Sequence, residues 1–206
     1  MTLKSKKLQI IGLAGLAGHG KTEVADMLVE LTGYKRMAFA TAVKRTASAM
    51  FNVRLEYFYE GSHGIDRNKT VIARHDMTIR EMMRIVGDAM KVAQTPDWWI
   101  KLLEKDLISQ GQTERGFIIE DLRYDDTNNP WKEECDEAGA VRSWGGTIMH
   151  VDALERVGRN EVHMTHHSEN GIKRLDDDIV IDNNSDLKHL KTQIENICDV
   201  HGWYKL

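Results

Sequence analysis

From Leu8 to Ala17 the chain is apolar or small apart from Gln9, and then the period changes: Val24, Met27, Leu28 and Leu31 recur at i, i+3, i+4 and i+7, with Glu23, Asp26 and Glu30 between them. The first pattern predicts a short buried strand over about Leu8–Leu13. The second predicts an amphipathic helix, which Gly33 ends. Residues 34–40 (YKRMAFA) read as a second strand, and 41–51 as a helix with Val43, Ala47 and Met50 inward. Residues 52–77 are polar, aromatic-rich and irregular, as expected of a lobe projecting from a sheet. Thr78-Ile-Arg-Glu81 is a capping box, and the helix it opens buries Ile79, Met82, Met83, Val86, Met90 and Ala93. Another helix is expected over 96–108, with Asp97 as its cap.

Residues 115–126 read as a buried strand ending in acids, and 129–146 as a helix and turn. Two more strands are expected, at 147–154 and Asp178–Ile181. A closing helix runs from Ser185 to about Val200, with Leu187, Leu190, Ile194, Ile197 and Cys198 inward. Strands that alternate with helices call for an α/β fold, a parallel sheet covered by helices on both faces.

Composition narrows the function classes. At 206 residues the chain is one domain, or one with an inserted lobe. Its net charge of −4 argues against a nucleic-acid binder, so phosphate recognition falls to local clusters of Arg and Lys. Cys135 and Cys198 lie far apart without metal or redox spacing, which fits a cytoplasmic, reducing compartment. No apolar run approaches the roughly 20 residues of a membrane span.

The apolar opening has the length of a signal-peptide core, but it runs straight into an amphipathic helix rather than a cleavage site. Gly15-Leu-Ala-Gly18-His19-Gly20-Lys21-Thr22 fits G-x-x-x-x-G-K-[ST] between a strand and a helix. Glycines let successive N–H groups converge on one anion, and the helix N-terminus adds positive charge. Gly15, Gly18, His19, Gly20, Lys21 and Thr22 are thus the candidate ATP-binding residues. Lys21 would reach the β- and γ-phosphates, and the Thr22 hydroxyl would hold Mg²⁺.

Other chemistry gathers around this loop. Arg80, Arg84, Gly87 and Lys91 fall at i, i+4, i+7 and i+11, cations along one helix side with a glycine over which a ligand could approach; the alternative is a solvated basic face. Asp121 follows the apolar strand, where a carboxylate helps place Mg²⁺, with Glu120 as competitor because strand alternation lets only one face the site. Arg123 could pair with Asp121 or reach a phosphate. Of Trp98 and Trp99, at most one is expected to stack on a base. Arg156 and Arg159 flank a glycine on an expected mobile loop, placed to neutralise a transferring phosphoryl group. His163, His166 and His167 lack accompanying cysteines or an H-E-x-x-H pattern, which disfavours a transition-metal site.

Together these residues make the chain resemble the bacteriophage deoxynucleoside monophosphate kinases, P-loop enzymes related in fold to adenylate kinase. The likeness rests on Gly15–Thr22, Phe39-Ala40 with Lys44, Asp66 with Lys69, Arg80-Glu81 with Gly87, and Asp97-Trp98. It continues through Asp121 with Arg123, Gly145-Gly146, His166 with Ser168 and Glu169, and Asp178 with Ile181 and Asn183. Each element is weak alone; their order and spacing carry the resemblance. Two departures stand out: Lys91 occupies a place where arginine is common, and the strand before the lid ends HVDALER, leaving the lid arginine open between Arg156 and Arg159.

The resemblance implies a single P-loop kinase domain over 1–206, a three-layer sandwich on a parallel five-stranded sheet. It would carry a monophosphate-binding lobe at about 41–110 and a lid at about 152–170. It implies transfer of the ATP γ-phosphate to a deoxynucleoside monophosphate with Mg²⁺, and is compatible with a homodimer. Lys21, Asp121 and the lid arginines Arg156 and Arg159 would be catalytic. Phe39, Lys44, Lys69, Arg80, Trp98, Asp121, Arg123 and Glu169 would bind the monophosphate. Competing readings are another P-loop kinase acting on a metabolite hydroxyl, with Asp121 as base, and a nucleotide-dependent binding module.

Overall fold

The computed structural model describes residues 8–59, 64–111, 113–127, 132–157 and 171–205. These form two compact units, one comprising the chain up to Ala38 and from Glu104 onward, the other Phe39–Leu103.

The first unit holds strands β1 (Gln9–Ala14), β2 (Lys35–Met37), β5 (Gly116–Ile119), β6 (Thr147–Asp152) and β7 (Ile179–Asp182). They pair in the order β2-β5-β1-β6-β7, every pair parallel. The period-two alternation of buried strands sorts their side chains between two covered faces. On one face Ile11, Leu13, Ile118, Met149, Val151 and Ile181 pack on Val24, Ala25 and Leu28 of α1 (Lys21–Thr32) and on Leu190, Ile194 and Cys198 of α7 (Leu187–His201). Each such aliphatic side chain, fully buried, stabilises the unit by about 1.5–3 kcal/mol. On the other face lies α5 (Glu137–Ser143), whose Val141 closes on Gly12 and Gly146. Burial pushes the Cys198 thiol up to about 11, so it stays protonated, as an inert core group.

The second unit is built on α2 (Phe39–Phe51) and α3 (Ile79–Ala93), with the start of α4 (Trp98–Gln110). Ala47, Val53, Phe58, Ile79, Met82, Val86 and Trp99 form its own core. The capping box is present in full: Glu81 N–H donates to Thr78 Oγ1, and Thr78 N–H donates to the Glu81 carboxylate at 2.7 Å. These bonds hold the Glu81 carboxyl below its usual range.

Several local expectations are corrected. Phe39 and Ala40 open α2 rather than ending β2, since the edge strand keeps register with β5 only as far as Met37. Met50, Ala93 and Leu187 are exposed, each sitting near a helix end where the apolar stripe runs off the core. Residues 52–77 are not wholly irregular: β3 (Val71–Ile72) pairs antiparallel with β4 (Met77–Thr78). α7 begins at Leu187 rather than Ser185, because Asp186 caps it, its carboxylate accepting from His189 N–H at 2.8 Å. Among the described residues no helix is long and apolar enough to cross a membrane.

Candidate active site

In a parallel sheet the carboxyl ends of the strands share one edge, and ligands bind there. At that edge the first unit places four segments side by side: the loop after β1 (residues 15–20), Glu120 and Asp121 after β5, α6 (Leu154–Val157) after β6, and Asn183 after β7.

The loop has the backbone of an anion cradle. Gly15, Gly18 and Gly20 all take positive φ, Gly20 at 91° just before α1 begins. At Gly20 a side chain is also sterically excluded, because a Cβ there would lie 2.3 Å from Asn183 Nδ2. Lys21 crosses the loop and donates through Nζ to Gly15 O at 2.7 Å and Leu16 O at 3.0 Å. Its ammonium is therefore held over the cradle rather than extended from it. Thr22 is exposed in the first turn of α1.

The His19 side chain turns inward and is only 2% exposed. Ala153 N–H donates to its Nδ1 at 3.2 Å. Nδ1 also lies 3.3 Å from Val151 O, to which it donates in one tautomer, while in the other it accepts from Ala153 N–H. Asn183, 5% exposed, donates through Nδ2 to His19 O at 2.8 Å and through its backbone N–H to Asp152 O at 2.6 Å. Its own carbonyl accepts from Arg156 Nε at 3.0 Å. Asn184 Oδ1 accepts from the N–H groups of Glu155 and Arg156 and caps α6. The outcome is that an Arg156 Nη2 lies 3.9 Å from where a Gly20 Cβ would stand. Of the two arginines expected in a lid, Arg156 is thus beside the glycine loop; Arg159 lies outside the described residues, as do Glu169 and His163, His166 and His167.

Glu120 and Asp121 follow the end of β5. Glu120 is ion-paired with Arg36, which also binds Asp26 on α1. Its carboxylate is committed to joining β2, β5 and α1. Asp121 and Arg123 are half-buried, and the backbone after them is pinned by Glu137, whose Oε2 accepts from Arg123 N–H at 2.8 Å and Tyr124 N–H at 3.2 Å.

A buried network backs β6 and β7. Asp178 accepts from Arg142 Nη2 at 2.7 Å, His150 Nε2 at 3.0 Å and Leu175 N–H at 2.9 Å. Burial pushes the Asp178 carboxyl up, but these three donors together hold it below the ordinary range. For His150 burial wins over Asp178 and lowers its value. Among the described residues no group of three or more His, Cys, Asp or Glu side chains is arranged to hold a metal ion.

The second unit carries the remaining candidates. Phe39 is buried, and Lys44 Nζ sits 4.2 Å above the Tyr59 ring, a cation–π contact. Asp66 makes the turn before Lys69, accepting from Asn68 N–H at 2.9 Å, while the Lys69 ammonium is solvent-exposed 3.5 Å from Asp66. Trp98 packs against the unit's core, and Trp99 is buried in it, donating from Nε1 to Gly87 O at 2.9 Å. On α3, Arg80 is half-buried and Arg84 exposed, but Lys91 is only 4% exposed, so the basic side is not one uniform solvent face. Gly87 lies between them, and a Cβ there would meet nothing within 4 Å.

Sequence reasoning assigned no role to the Asn183 side chain or to Asn184. Asn183 has no periodic signal; it entered only through the I-x-N element, which does not say that its amide braces the loop.

Comparison with solved structures finds matches along nearly the whole chain. A sugar kinase from a Janibacter species is 14% identical, with 96% of each chain covered and a TM-score of 0.45. A protein of Thermus thermophilus is 19% identical over 95% of this chain and 98% of its own, with a TM-score of 0.48. Dephospho-CoA kinase from Campylobacter jejuni is 11% identical over 96% and 99%, with a TM-score of 0.44. Comparison with curated proteins finds no match. The family model described as deoxynucleotide monophosphate kinase matches residues 55–194, which is more than half of the chain and reaches from the second unit through β5, β6 and β7 into α7. The chain belongs to the deoxynucleotide monophosphate kinase family.

Proposed function

We propose that this kinase transfers the γ-phosphate of ATP to the 5′-phosphate of a deoxynucleoside monophosphate, releasing ADP and a deoxynucleoside diphosphate. The observation that carries the reading is the phosphate loop with Lys21 held across it and Arg156 beside Gly20. The acceptor is already an anionic nucleophile, so the reaction needs positioning and charge neutralisation more than a strong base.

In this reading Lys21, Arg156 and Arg159 neutralise the transferring phosphoryl group, and the loop amides hold the donor. The Phe39–Leu103 unit supplies the acceptor-binding residues Phe39, Lys44, Lys69, Arg80 and Trp98, with Asp121, Arg123 and Glu169 from the rest of the chain. Residues 152–170 act as the lid. Gly87 supports the acceptor assignment: a helix-interior glycine costs about 1 kcal/mol relative to Ala, and here no packing neighbour explains it. A ligand lying over the helix would. The Thr22 hydroxyl and Asp121 carboxylate are hard oxygen donors and suit Mg²⁺. Bound with the triphosphate, that ion would neutralise charge on its oxygens.

The test is incubation with ATP and Mg²⁺ against a panel of deoxy- and ribonucleoside monophosphates and sugars. Nucleoside diphosphate is expected with deoxynucleotides. ADP release only with a hydroxyl acceptor would overturn the proposal, as would slow ATP turnover that no acceptor stimulates.

A further inference from the structure

The geometry points to His19 and Asn183 as a latch that places the phosphate loop and Arg156 relative to each other, so that both act as positioning residues for the donor triphosphate. The inference rests on the kinase reading but concerns only its donor side.

His19 occupies a variable position of a phosphate loop, where the backbone N–H serves the anion and the side chain has no required task. Yet its imidazole is 2% exposed, and Nε2 has no hydrogen-bond partner among the described residues. Nδ1 meets Ala153 N at 3.2 Å and Val151 O at 3.3 Å, so the ring bonds to the end of β6 in either tautomer, and Nε2 is a buried polar atom left unpaired. Such a group costs stability, and a leucine of similar volume would avoid the cost. What the imidazole supplies and leucine cannot is the Nδ1 bond to the end of β6. Its partner, Ala153, begins the turn into α6: Ala153 O accepts from the N–H groups of Arg156 and Val157 at 3.2 and 2.9 Å.

Asn183 closes the same circuit from the other side. One residue binds the loop through His19 O at 2.8 Å, the end of β6 through Asp152 O at 2.6 Å, and the arginine itself through its carbonyl at 3.0 Å from Arg156 Nε. Its amide also fills the space a Gly20 Cβ would need. Loop and arginine thus share two partners, and neither can shift without breaking a bond to the other's support. This is the arrangement expected where a cation must meet a transferring phosphoryl group without reorganising.

The experiment is equilibrium titration of the full-length protein with ATP, alongside thermal melting, for wild type, His19→Leu, His19→Asn, Arg156→Ala and the double variant His19→Leu/Arg156→Ala. Asparagine sets an amide oxygen close to the place of Nδ1. His19→Leu should weaken ATP binding about tenfold, the worth of a hydrogen bond to an organised site, with a melting temperature near that of wild type, since relief of the unpaired Nε2 offsets the partner lost by Ala153 N–H. His19→Asn should recover most of that loss. In the Arg156→Ala background His19→Leu should add less than half of its single effect, since the two act through one arrangement.

A fall in melting temperature with unchanged ATP affinity would make His19 a structural residue and overturn the proposal. So would full additivity with Arg156→Ala, or a wild type that does not bind ATP. The outcomes separate from those of the acceptor panel. Coupled ATP binding without deoxynucleotide phosphorylation would remove the acceptor reading and leave the latch. Deoxynucleotide phosphorylation with no effect of His19→Leu would do the reverse.

Discussion

Gly20 and Gly87 are glycines in opposite surroundings. Gly20 has a φ of 91°, and a side chain there would strike Asn183. Gly87 is helical, and a side chain there would meet nothing within 4 Å. The first is required by the protein's own fold. The second is a local cost that the fold does not explain. The regions around them differ in the same way: the glycine loop is braced by the buried Asn183 from beyond β7, whereas on α3 Arg80 and Arg84 precede a glycine with open space beside it. A donor site made from backbone has to be held rigid by the fold. The proposed acceptor site, made from side chains, would stay open for its ligand.

The largest expected effect falls on the braced side. Lys21→Ala should lower kcat by about 10²–10³-fold, while melting stays near wild type because its bonds to Gly15 O and Leu16 O lie within its own loop. Unchanged turnover would remove the loop from the reaction.

Gly20→Ala tests the bracing itself. A non-glycine residue at this φ costs about 1–2 kcal/mol, and the clash with Asn183 should add to it, so melting temperature and ATP affinity are expected to fall together. On the open side, Arg80→Ala should raise the KM for the monophosphate about tenfold, as for a lost charge-assisted hydrogen bond, with the KM for ATP unchanged. An effect on both substrates alike would erase the contrast between the regions.

Gly87→Ala should behave oppositely to Gly20→Ala. Stability should rise by up to about 1 kcal/mol from helix propensity, seen as a higher melting temperature, while the acceptor KM rises severalfold. If the acceptor KM is unmoved, nothing lies over Gly87.

The smallest effect is on pH dependence, and it belongs to the braced unit. His150 in the fold titrates below the ordinary 6.5 because burial disfavours its charged form. The unfolded chain therefore takes up this proton first, and stability should decline as pH falls through 6.5. Asp178 is displaced below 3.8, so its contribution is complete above 3.8 and is lost as pH falls through its lower folded value. Melting of wild type against His150→Gln between about pH 5 and 7 should show the first decline only in wild type.

Much of the architecture was legible in the sequence for a physical reason. Period is a local property, so Val24, Met27, Leu28 and Leu31 announced α1, and Thr78 with Glu81 announced the start of α3. Gly15–Thr22 was legible because a phosphate cradle needs special backbone within one short segment. The departures came where the deciding partner lay elsewhere in the chain. Register with β5 ended β2 at Met37, and Arg36 took Glu120 out of the competition with Asp121. Lys91 shared a helical stripe with Arg80 and Arg84, yet packing left it nearly buried.

By itself the sequence determined that a strand, a glycine loop with Lys21 and Thr22, and an amphipathic helix follow one another, and that alternating elements make a parallel sheet. Only the tertiary structure decided that His19 faces inward, that Asn183 braces Gly20 and that Arg156 comes alongside. Those outcomes depend on β6 and β7 lying next to β1. Residues 164 positions apart in the chain meet at 2.8 Å only once the sheet order has been set.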